Sequence, residues 1–243
     1  MNKYIAPLLL LASFTSPYAV AELSAADKEE VKQVINEYLL DNPEILFEMQ
    51  NALQIKEDKA QQAFLQDALD KVYQDDNTPA IGNTENPKLT VTEFMDYSCG
   101  YCKLMWPHLE QLAKDYPDLR IKIVNIPILG HYSGQTAAYS LAFWRLYPQK
   151  WQSFHGELMQ AKGEMSNDAF KKLAKSLDAN WDEIAKLAQG EDVTMEINRN
   201  LQMFNGAGIQ GTPFYVVGKD DILRGAVGYE NMKEAIDTHL KQQ

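Results

Sequence analysis

The spacing of hydrophobic and polar positions predicts that the chain begins with helices. Over residues 24–53, apolar or near-apolar side chains recur at steps of three and four, which favours a helix that breaks or bends near Pro43. Residues 54–62 are nearly all polar but contain neither glycine nor proline, so they form either a solvated helix or a flexible linker. A second short amphipathic helix is expected over residues 64–72. The periodic positions of the first helix are Ile35, Tyr38, Asn42, Ile45, Met49 and Ala52.

Strand and helix patterns then alternate. Residues 89–95 and 120–126 are rich in β-branched and other apolar residues and predict two parallel strands. Helical spacing over residues 103–115 places a helix between them, which makes a βαβ unit. Residues 78–87 contain two prolines and a glycine and predict a loop before the first strand.

The remaining pattern predicts an α/β core that is interrupted by helices. Residues 133–205 are helical in pattern and predict five helices, too many for a simple crossover, so we expect an inserted all-helical subdomain. Residues 214–217 and 222–227 predict an antiparallel hairpin, and residues 229–240 predict a closing helix. The α/β domain with its helical insertion is therefore expected over residues 63–243.

The only two cysteines of the 243 residues lie together where the first strand meets its helix. Cys99 falls at or just before the start of that helix, with Cys102 three positions later. Unpaired backbone N–H groups and the positive end of the helix dipole stabilise a thiolate there. A stabilised thiolate at neutral pH is the reactive species of thiol–disulfide exchange.

Other interpretations of the cysteine pair are weaker. A structural disulfide across so short a loop would constrain the unfolded chain very little. A zinc site needs about four ligands, and the four histidines do not stand at ligand spacing. Met95, Met105 and His108 lie near the thiols, and thiolate with thioether suits Cu(I), but methionine at helical spacing more often packs in a core. We therefore expect no metal site and no cofactor other than the redox-active pair itself.

The start of the chain predicts export. Lys3 precedes an apolar run, and Ala19 and Ala21 provide the small residues of a cleavage site, so residues 1–21 are expected to be a signal peptide. Disulfides persist in the compartments that such a signal serves. The net charge of −11 argues against nucleic-acid partners, and no later stretch is apolar enough to span a membrane.

The N-terminal helical segment, residues 22–53, is hereafter called the stem. Its apolar stripe either packs on the chain's own catalytic domain or joins copies of the chain. Because the polar stretch 54–62 separates it from the next packed unit, we expect the stem to mediate homo-oligomerisation.

Three motifs together carry a family resemblance. A strand with Glu93-Phe-Met-Asp-Tyr97, the sequence Cys99-Gly-Tyr-Cys102, and Gly211-Thr-Pro-Phe214 before a hairpin resemble the thioredoxin fold. More closely, they resemble the DsbA branch of the periplasmic thiol–disulfide oxidoreductases. The form of the cysteine motif and the N-terminal helices are similar to the suppressor-of-copper-sensitivity C (ScsC) proteins within that branch.

The resemblance implies roles for particular residues. Cys99 would attack a substrate disulfide, and Cys102 would resolve the mixed disulfide. Pro213 would follow a cis peptide bond, with the Thr212 backbone docking an extended substrate strand. Glu93 would be either an exposed residue at a strand end or a buried carboxyl that relays the proton of Cys102.

The resemblance also indicates a direction of exchange. The intervening Gly100-Tyr101 and the threonine at position 212 are similar to the periplasmic disulfide isomerases. We therefore expect a periplasmic protein disulfide isomerase that acts on protein substrates with disulfides or thiols and is kept reduced by a membrane reductase. We expect it to assemble as a homotrimer and to be linked to copper tolerance. The alternatives are a monomeric dithiol oxidase of the same fold, a Cu(I)-binding periplasmic chaperone, and a structural or adhesion module.

Overall fold

The computed structural model describes residues 24–75, 77–130 and 132–241. The predicted signal peptide, residues 1–21, lies outside the described residues. The chain divides into two compact units, the first ending at Ile55 and the second beginning at Lys56. Within the described ranges, no helix combines the length and the apolar character needed to cross a bilayer.

Two helices make up the N-terminal part of the chain: α1 (Ala25–Asp41) and α2 (Glu44–Gln74). Ser24 caps α1 in a reciprocal arrangement, because its Oγ accepts from the Asp27 N–H while the Asp27 carboxylate accepts from the Ser24 N–H. The helix is interrupted at Pro43, as predicted, since proline cannot donate a helical hydrogen bond. The polar stretch 54–62 is helical, and the separate helix expected over residues 64–72 is instead the end of α2.

The first unit leaves its apolar side chains exposed. No residue of α1 is buried. Large hydrophobic side chains on α1 and the start of α2 remain accessible, and they include the predicted stripe positions Ile35, Tyr38 and Met49. Exposed apolar area of this kind indicates an interaction surface. The other exposed large hydrophobic side chains of this unit are Val31, Val34, Leu39, Leu40, Leu46, Phe47, Leu53 and Ile55.

The second unit contains a five-stranded sheet with helices around it. Its strands are β1 (Ala80–Gly82), β2 (Leu89–Met95), β3 (Leu119–Asn125), β4 (Phe214–Val217) and β5 (Asp221–Arg224). Its further helices are α3 (Gly100–Asp115), α4 (Ser133–Leu146), α5 (Pro148–Gln160), α6 (Asn167–Ser176), α7 (Trp181–Ala188), α8 (Glu191–Gly206) and α9 (Gly228–Lys241).

The strand order is β1-β3-β2-β4-β5, with β2 and β3 parallel and the other pairs antiparallel. This is the thioredoxin-like fold that the sequence predicts, including the βαβ unit and the terminal hairpin. The prediction of a loop over the whole of residues 78–87 is wrong, because this stretch contains strand β1. Three residues are too short to show an alternating pattern, so the strand left no signal in the sequence.

The two faces of the sheet pack against different helices. Alternate residues of a strand point to opposite faces. Val91 and Met95 of β2 join the core cluster that contains side chains of α3, α5 and α9. Phe94 joins a second cluster with side chains of α2 and α8 and lies edge-on to Phe214, with ring centroids 5.8 Å apart. The active-site helix therefore covers one face, and the end of α2 covers the other.

The predicted helical insertion, about residues 133–205, is present as α4 to α8. Ser166 and Asn180 cap α6 and α7 through their side chains. Aromatic side chains fill the insertion: Phe143 stacks on Phe154 with ring centroids 4.1 Å apart. Side chains of α4 to α7 pack in the cluster on the active-site face of the sheet, which places α4 and α5 beside the cysteine pair, whereas Met203 and Phe204 of α8 pack on the opposite face.

Candidate active site

The cysteine pair sits at the start of α3, where the sequence predicts it. Cys99 is the N-cap residue, with extended backbone, and the Lys103 N–H donates to its carbonyl at 3.1 Å. Cys102 lies in the first turn. Both thiols are free and mostly buried; Cys102 is fully enclosed, whereas 4% of Cys99 reaches solvent. Cys99 is therefore the sulfur that a substrate can reach first.

Hydrogen bonds shift the pKa values of the two thiols in opposite directions. The Cys102 thiol donates to the Cys99 sulfur. Together with the Thr212 side chain and the backbone N–H groups of Cys102 and Tyr101, and against the opposing effect of burial, it lowers the pKa of Cys99 to about 5. The same hydrogen bond, together with burial and the nearby Glu93 carboxyl, raises the pKa of Cys102. At neutral pH the pair therefore consists of a thiolate and a thiol, which is the arrangement that a nucleophile and a resolving cysteine require.

The segment before β4 reaches the same point. The Thr212–Pro213 peptide bond is cis, which confirms the expectation from the family resemblance. The Cys99 thiol, when protonated, donates to the Thr212 carbonyl at 3.2 Å. The structure thus brings together Cys99, Thr212 and Pro213, which are separated by more than a hundred residues in sequence.

Glu93 is buried in the middle of the sheet, so the interpretation as an exposed strand-end residue is wrong. It points to the face of β2 that α3 covers, it is fully enclosed, and the Tyr215 hydroxyl donates to its Oε1 at 3.1 Å. Its Oε2 has no hydrogen-bond partner among the described residues. Burial raises the pKa of Glu93 to about 8, against the opposing effect of the Tyr215 hydrogen bond. A carboxyl that titrates near neutral pH beside two thiols is suited to proton transfer.

The two residues between the cysteines face outward. Gly100 is exposed, and a Cβ there would touch nothing within 4 Å. The Tyr101 side chain is 66% exposed. Both are placed to meet a substrate and neither is needed to fill the core.

Asp96 is a site residue to which the sequence reasoning assigned no role. Its buried carboxylate accepts four hydrogen bonds, from the N–H groups of Ser98, Ile128 and Leu129 and from the Ser133 hydroxyl, all at 2.7 to 2.8 Å. It thereby fixes the loop after β3 against the cysteine motif. Its place in the motif gave a signal, since an acidic residue at the end of a buried strand requires several donors.

A second unpredicted feature is a buried polar network behind the cysteines. The Tyr97 hydroxyl lies 2.5 Å from Ser140 Oγ and 2.6 Å from His155 Nδ1. The Trp151 indole N–H also donates to Ser140 Oγ, at 3.0 Å. Burial lowers the pKa of His155 to about 3, so the ring stays neutral. The network joins the cysteine loop to α4 and α5.

The side chains considered for copper have other surroundings. Met95 and Met105 are fully buried in the core, and Met105 Sδ accepts from the Gly228 N–H at 3.3 Å. His108 lies beside Tyr229, with ring centroids 6.4 Å apart. Within the described parts of the chain, no group of three or more His, Cys, Asp or Glu side chains is arranged to hold a metal ion.

Comparison with known families agrees with this geometry. The DSBA-like thioredoxin domain family matches residues 90–237, which is more than half of the chain. The chain belongs to this family. Residues 27–60 match a second family, the copper resistance protein ScsC N-terminal domain, so the resemblance to the ScsC group of DsbA-like proteins is confirmed.

One of the similar solved structures covers nearly the whole chain. Proteus mirabilis ScsC in a transitional conformation is 34% identical, with a TM-score of 0.67 and coverage of 91% of this chain and 98% of that one. A periplasmic thioredoxin-like protein from Salmonella enterica serovar Typhimurium is 32% identical, with a TM-score of 0.63 and coverage of 70% and 93%. Disulfide bond formation protein D of Bacillus subtilis is 24% identical over 180 residues, 67% of this chain and 77% of that protein. The family is one of thiol–disulfide oxidoreductases.

Proposed function

We propose that this oxidoreductase is a protein disulfide isomerase whose dithiol rearranges the disulfides of misfolded proteins. The observation that carries the exchange chemistry is the lowered pKa of Cys99 beside the raised pKa of Cys102. Such a pair holds an attacking thiolate ready while keeping the resolving thiol protonated. The dipeptide Gly100-Tyr101 and Thr212, which resemble those of isomerases, support this direction of exchange.

The exchange begins when the Cys99 thiolate attacks one sulfur of a client disulfide. A bond forms between Cys99 and that sulfur as the client disulfide breaks, and the other client sulfur leaves as a thiolate. That thiolate can attack a second client disulfide, and a client thiolate finally displaces Cys99, so no electrons are gained or lost overall. The Thr212 backbone, which lies 3.2 Å from the Cys99 sulfur, is positioned to pair with the client strand during these steps.

Cys102 releases the client when the mixed disulfide with Cys99 does not resolve by attack of a client thiolate. After losing its proton, it attacks the Cys99 sulfur, forms the Cys99–Cys102 disulfide and releases the client with two thiols. This transfers two electrons to the client, so a membrane reductase must then restore the dithiol. Glu93 accepts and returns the Cys102 proton, a role supported by its burial near both thiols and a pKa of about 8.

The stem supplies the second part of the proposal. The exposed apolar side chains of α1 and the start of α2 fit association with other copies of the chain, and we propose a homotrimer that presents several dithiols to one client. Light scattering on the mature protein should give three times the chain mass. A mass equal to one chain at micromolar concentration would contradict it and favour the monomeric oxidase.

The compartment and the copper link remain proposals. Export to the periplasm is supported by the predicted signal at residues 1–21 and by the periplasmic Salmonella relative. The match to the copper resistance protein ScsC N-terminal domain supports a role in copper tolerance. Repair of disulfides that copper has mispaired would give that role without any resident metal.

The exchange chemistry is tested by trapping. The Cys102→Ala variant, mixed with a client that has scrambled disulfides, should accumulate a covalent client complex through Cys99 that a reducing agent releases. The Cys99→Ser variant should form none. Rapid oxidation of a reduced client by the disulfide form, with no rearrangement of a scrambled one by the dithiol form, would instead identify an oxidase.

A further inference from the structure

Tyr215 lies on β4, two residues after the cis proline, and the antiparallel register places it directly opposite Glu93 of β2. Directly opposed side chains lie on the same face of a sheet, which here is the face that α3 covers. Tyr215 belongs to the core cluster on that face and, like Glu93, is fully enclosed. A buried hydroxyl needs an acceptor to offset its lost hydration, and the Glu93 carboxyl is that acceptor.

The hydrogen bond between these two side chains distinguishes the two oxygens of the carboxyl. The Tyr215 hydroxyl donates to Glu93 Oε1 at 3.1 Å. Oε2 is equally buried and has no hydrogen-bond partner within the described parts of the chain. An unpaired carboxyl oxygen in an enclosed site is unfavourable, so Oε2 is the oxygen that gains most from taking a proton. The hydroxyl thus holds the side chain by one oxygen and leaves the other for proton transfer.

Four ionisable side chains surround the carboxyl. Cys99 and Cys102 lie near it on the side of α3, Tyr97 in the cysteine loop, and Tyr215 on β4. Burial is the main reason why the pKa of Glu93 is raised to about 8, and the Cys99 thiolate adds to it, whereas the Tyr215 hydroxyl opposes both by stabilising the carboxylate. Burial and the nearby carboxylate raise the pKa of both phenols, so they remain neutral donors.

Formation of the mixed disulfide changes which group can accept the proton of Cys102. The hydrogen bond to Cys99, burial and the Glu93 carboxyl raise the pKa of Cys102. Once Cys99 is joined to a client sulfur, it carries no charge and no longer accepts that hydrogen bond, so Glu93 is left to take the proton. The Cys102 sulfur then attacks Cys99, the bond from Cys99 to the client breaks, and the client sulfur leaves as a thiolate that takes up a proton. The step oxidises the dithiol and reduces the client by two electrons.

We propose that Tyr215 is a positioning residue for this step, holding Glu93 by Oε1 so that Oε2 receives the Cys102 proton. The proposal rests on the proposed exchange function and adds a residue to it. Tyr215 acts through the carboxyl to which its hydroxyl donates, and not on the client. Because β4 begins directly after Thr212 and Pro213, the segment that docks the client leads into the strand that holds the carboxyl.

The test follows the reduced full mature chain as it reacts with an excess of a small aryl disulfide that releases a coloured thiol. The first release comes from attack by Cys99, and its rate depends on the reagent concentration. The second release comes from resolution by Cys102, and its rate does not. Stopped-flow absorbance separates the two releases, and the second is followed from about pH 5 to about pH 10. Tyr215→Phe removes the hydroxyl and keeps the ring.

In Tyr215→Phe the midpoint of the pH dependence of resolution should rise by about 1 pH unit or more, because the carboxylate loses its donor. Below the midpoint, resolution should slow about threefold to tenfold, and at high pH it should return to the wild-type rate. Attack by Cys99 should stay within about twofold of the wild-type rate, because the hydroxyl does not act on that sulfur. A ring-fluorinated tyrosine in place of Tyr215 is a more acidic donor and should move the midpoint down.

Two comparisons show whether the hydroxyl acts through the carboxyl. Tyr139→Phe is the matched control, since this buried tyrosine of α4 donates to Asn167 Oδ1 at 3.2 Å, and it should change neither release. The double variant Glu93→Gln, Tyr215→Phe should resolve the mixed disulfide within about twofold of the rate of Glu93→Gln alone.

An unchanged midpoint in Tyr215→Phe, with slowed resolution in Glu93→Gln, would overturn the proposal. Slowing by the same factor at every pH, or further slowing in the double variant, would show a structural effect only and would overturn it as well. Should Tyr215→Phe fail to fold, the fluorinated protein gives the answer, and an unchanged midpoint there contradicts the positioning role. Absence of the first release in the wild-type protein would contradict the exchange function itself, which distinguishes its failure from that of the positioning role.

Discussion

Removal of the Cys102 thiol tests how the structure makes Cys99 reactive. That thiol is the largest contributor to the lowered pKa of Cys99, ahead of the Thr212 side chain and of the backbone N–H groups of Cys102 and Tyr101. A hydrogen bond to a charged group contributes about 1.5–3 kcal/mol, and about 1.4 kcal/mol corresponds to a pKa change of about 1. In Cys102→Ala we therefore expect the pKa of Cys99 to rise from about 5 to between about 6 and about 7.

The change is large enough to follow by reactivity. At pH 6 the thiolate fraction of Cys99 should fall from about 90% to between about 50% and about 10%. Because Cys99 is then the only cysteine, the rate of its alkylation by iodoacetamide between pH 3 and pH 9 reports its titration alone. Cys102→Ser keeps a hydroxyl donor and should shift the pKa less. An unchanged pKa of Cys99 in Cys102→Ala would refute the assigned cause.

Three further changes follow from buried groups. Glu93→Gln should slow the resolution of the mixed disulfide by Cys102 about a hundredfold in stopped-flow measurements. Since the folded-state pKa of Glu93 is raised from 4.5 to about 8, its protonated form favours folding at low pH, and that stability is lost as the pH rises from about 4.5 through about 8. Glu93→Gln should therefore flatten the decline of the unfolding free energy over this pH range, and an identical decline would contradict the assigned pKa. Lys122→Met should lower the free energy of unfolding in urea by about 1–3 kcal/mol, because the buried ammonium donates to two carbonyls at the end of α2. The control Lys88→Met, at an exposed ion pair, should cost under about 1 kcal/mol, and equal losses would contradict a stabilising role of the Lys122 hydrogen bonds. Tyr97→Phe should cost about 1–3 kcal/mol by leaving a buried network without its hydroxyl, unlike Tyr101→Phe at an exposed position, and a stability equal to wild type would refute the network's contribution.

The order of the elements could be predicted because the sequence signals are local. Ser24, Ser166 and Asn180 are residue types that favour the N-cap position, and three helices begin directly after them. The strand predicted over residues 214–217 has the same bounds in the structure. The cysteine motif identified the reactive end of α3 without any structure. Strand β1 was missed because three residues carry no periodic signal.

The electrostatics of the site could not be predicted, because burial depends on tertiary contacts. Sequence alone left Glu93 either exposed or enclosed, and only its neighbours in β4 and α3 decide that it is enclosed. Nothing in the local sequence indicates that the Lys122 ammonium is buried and bonds to the end of a helix about 50 residues away. The hydroxyl of Tyr97 and the ring of His155 meet across 58 positions of sequence, which no local pattern indicates.

Reactivation of a multi-disulfide protein with scrambled disulfides tests isomerisation most directly. The mature chain is compared with a version that begins at Lys56, where the second compact unit starts, and with a full-length variant that carries charges in place of Ile35 and Tyr38. We predict reactivation by the mature chain and its loss in both altered forms, with all three retaining attack by Cys99 on a small disulfide. No reactivation by the mature chain, together with rapid oxidation of a reduced client, would contradict the assignment as an isomerase.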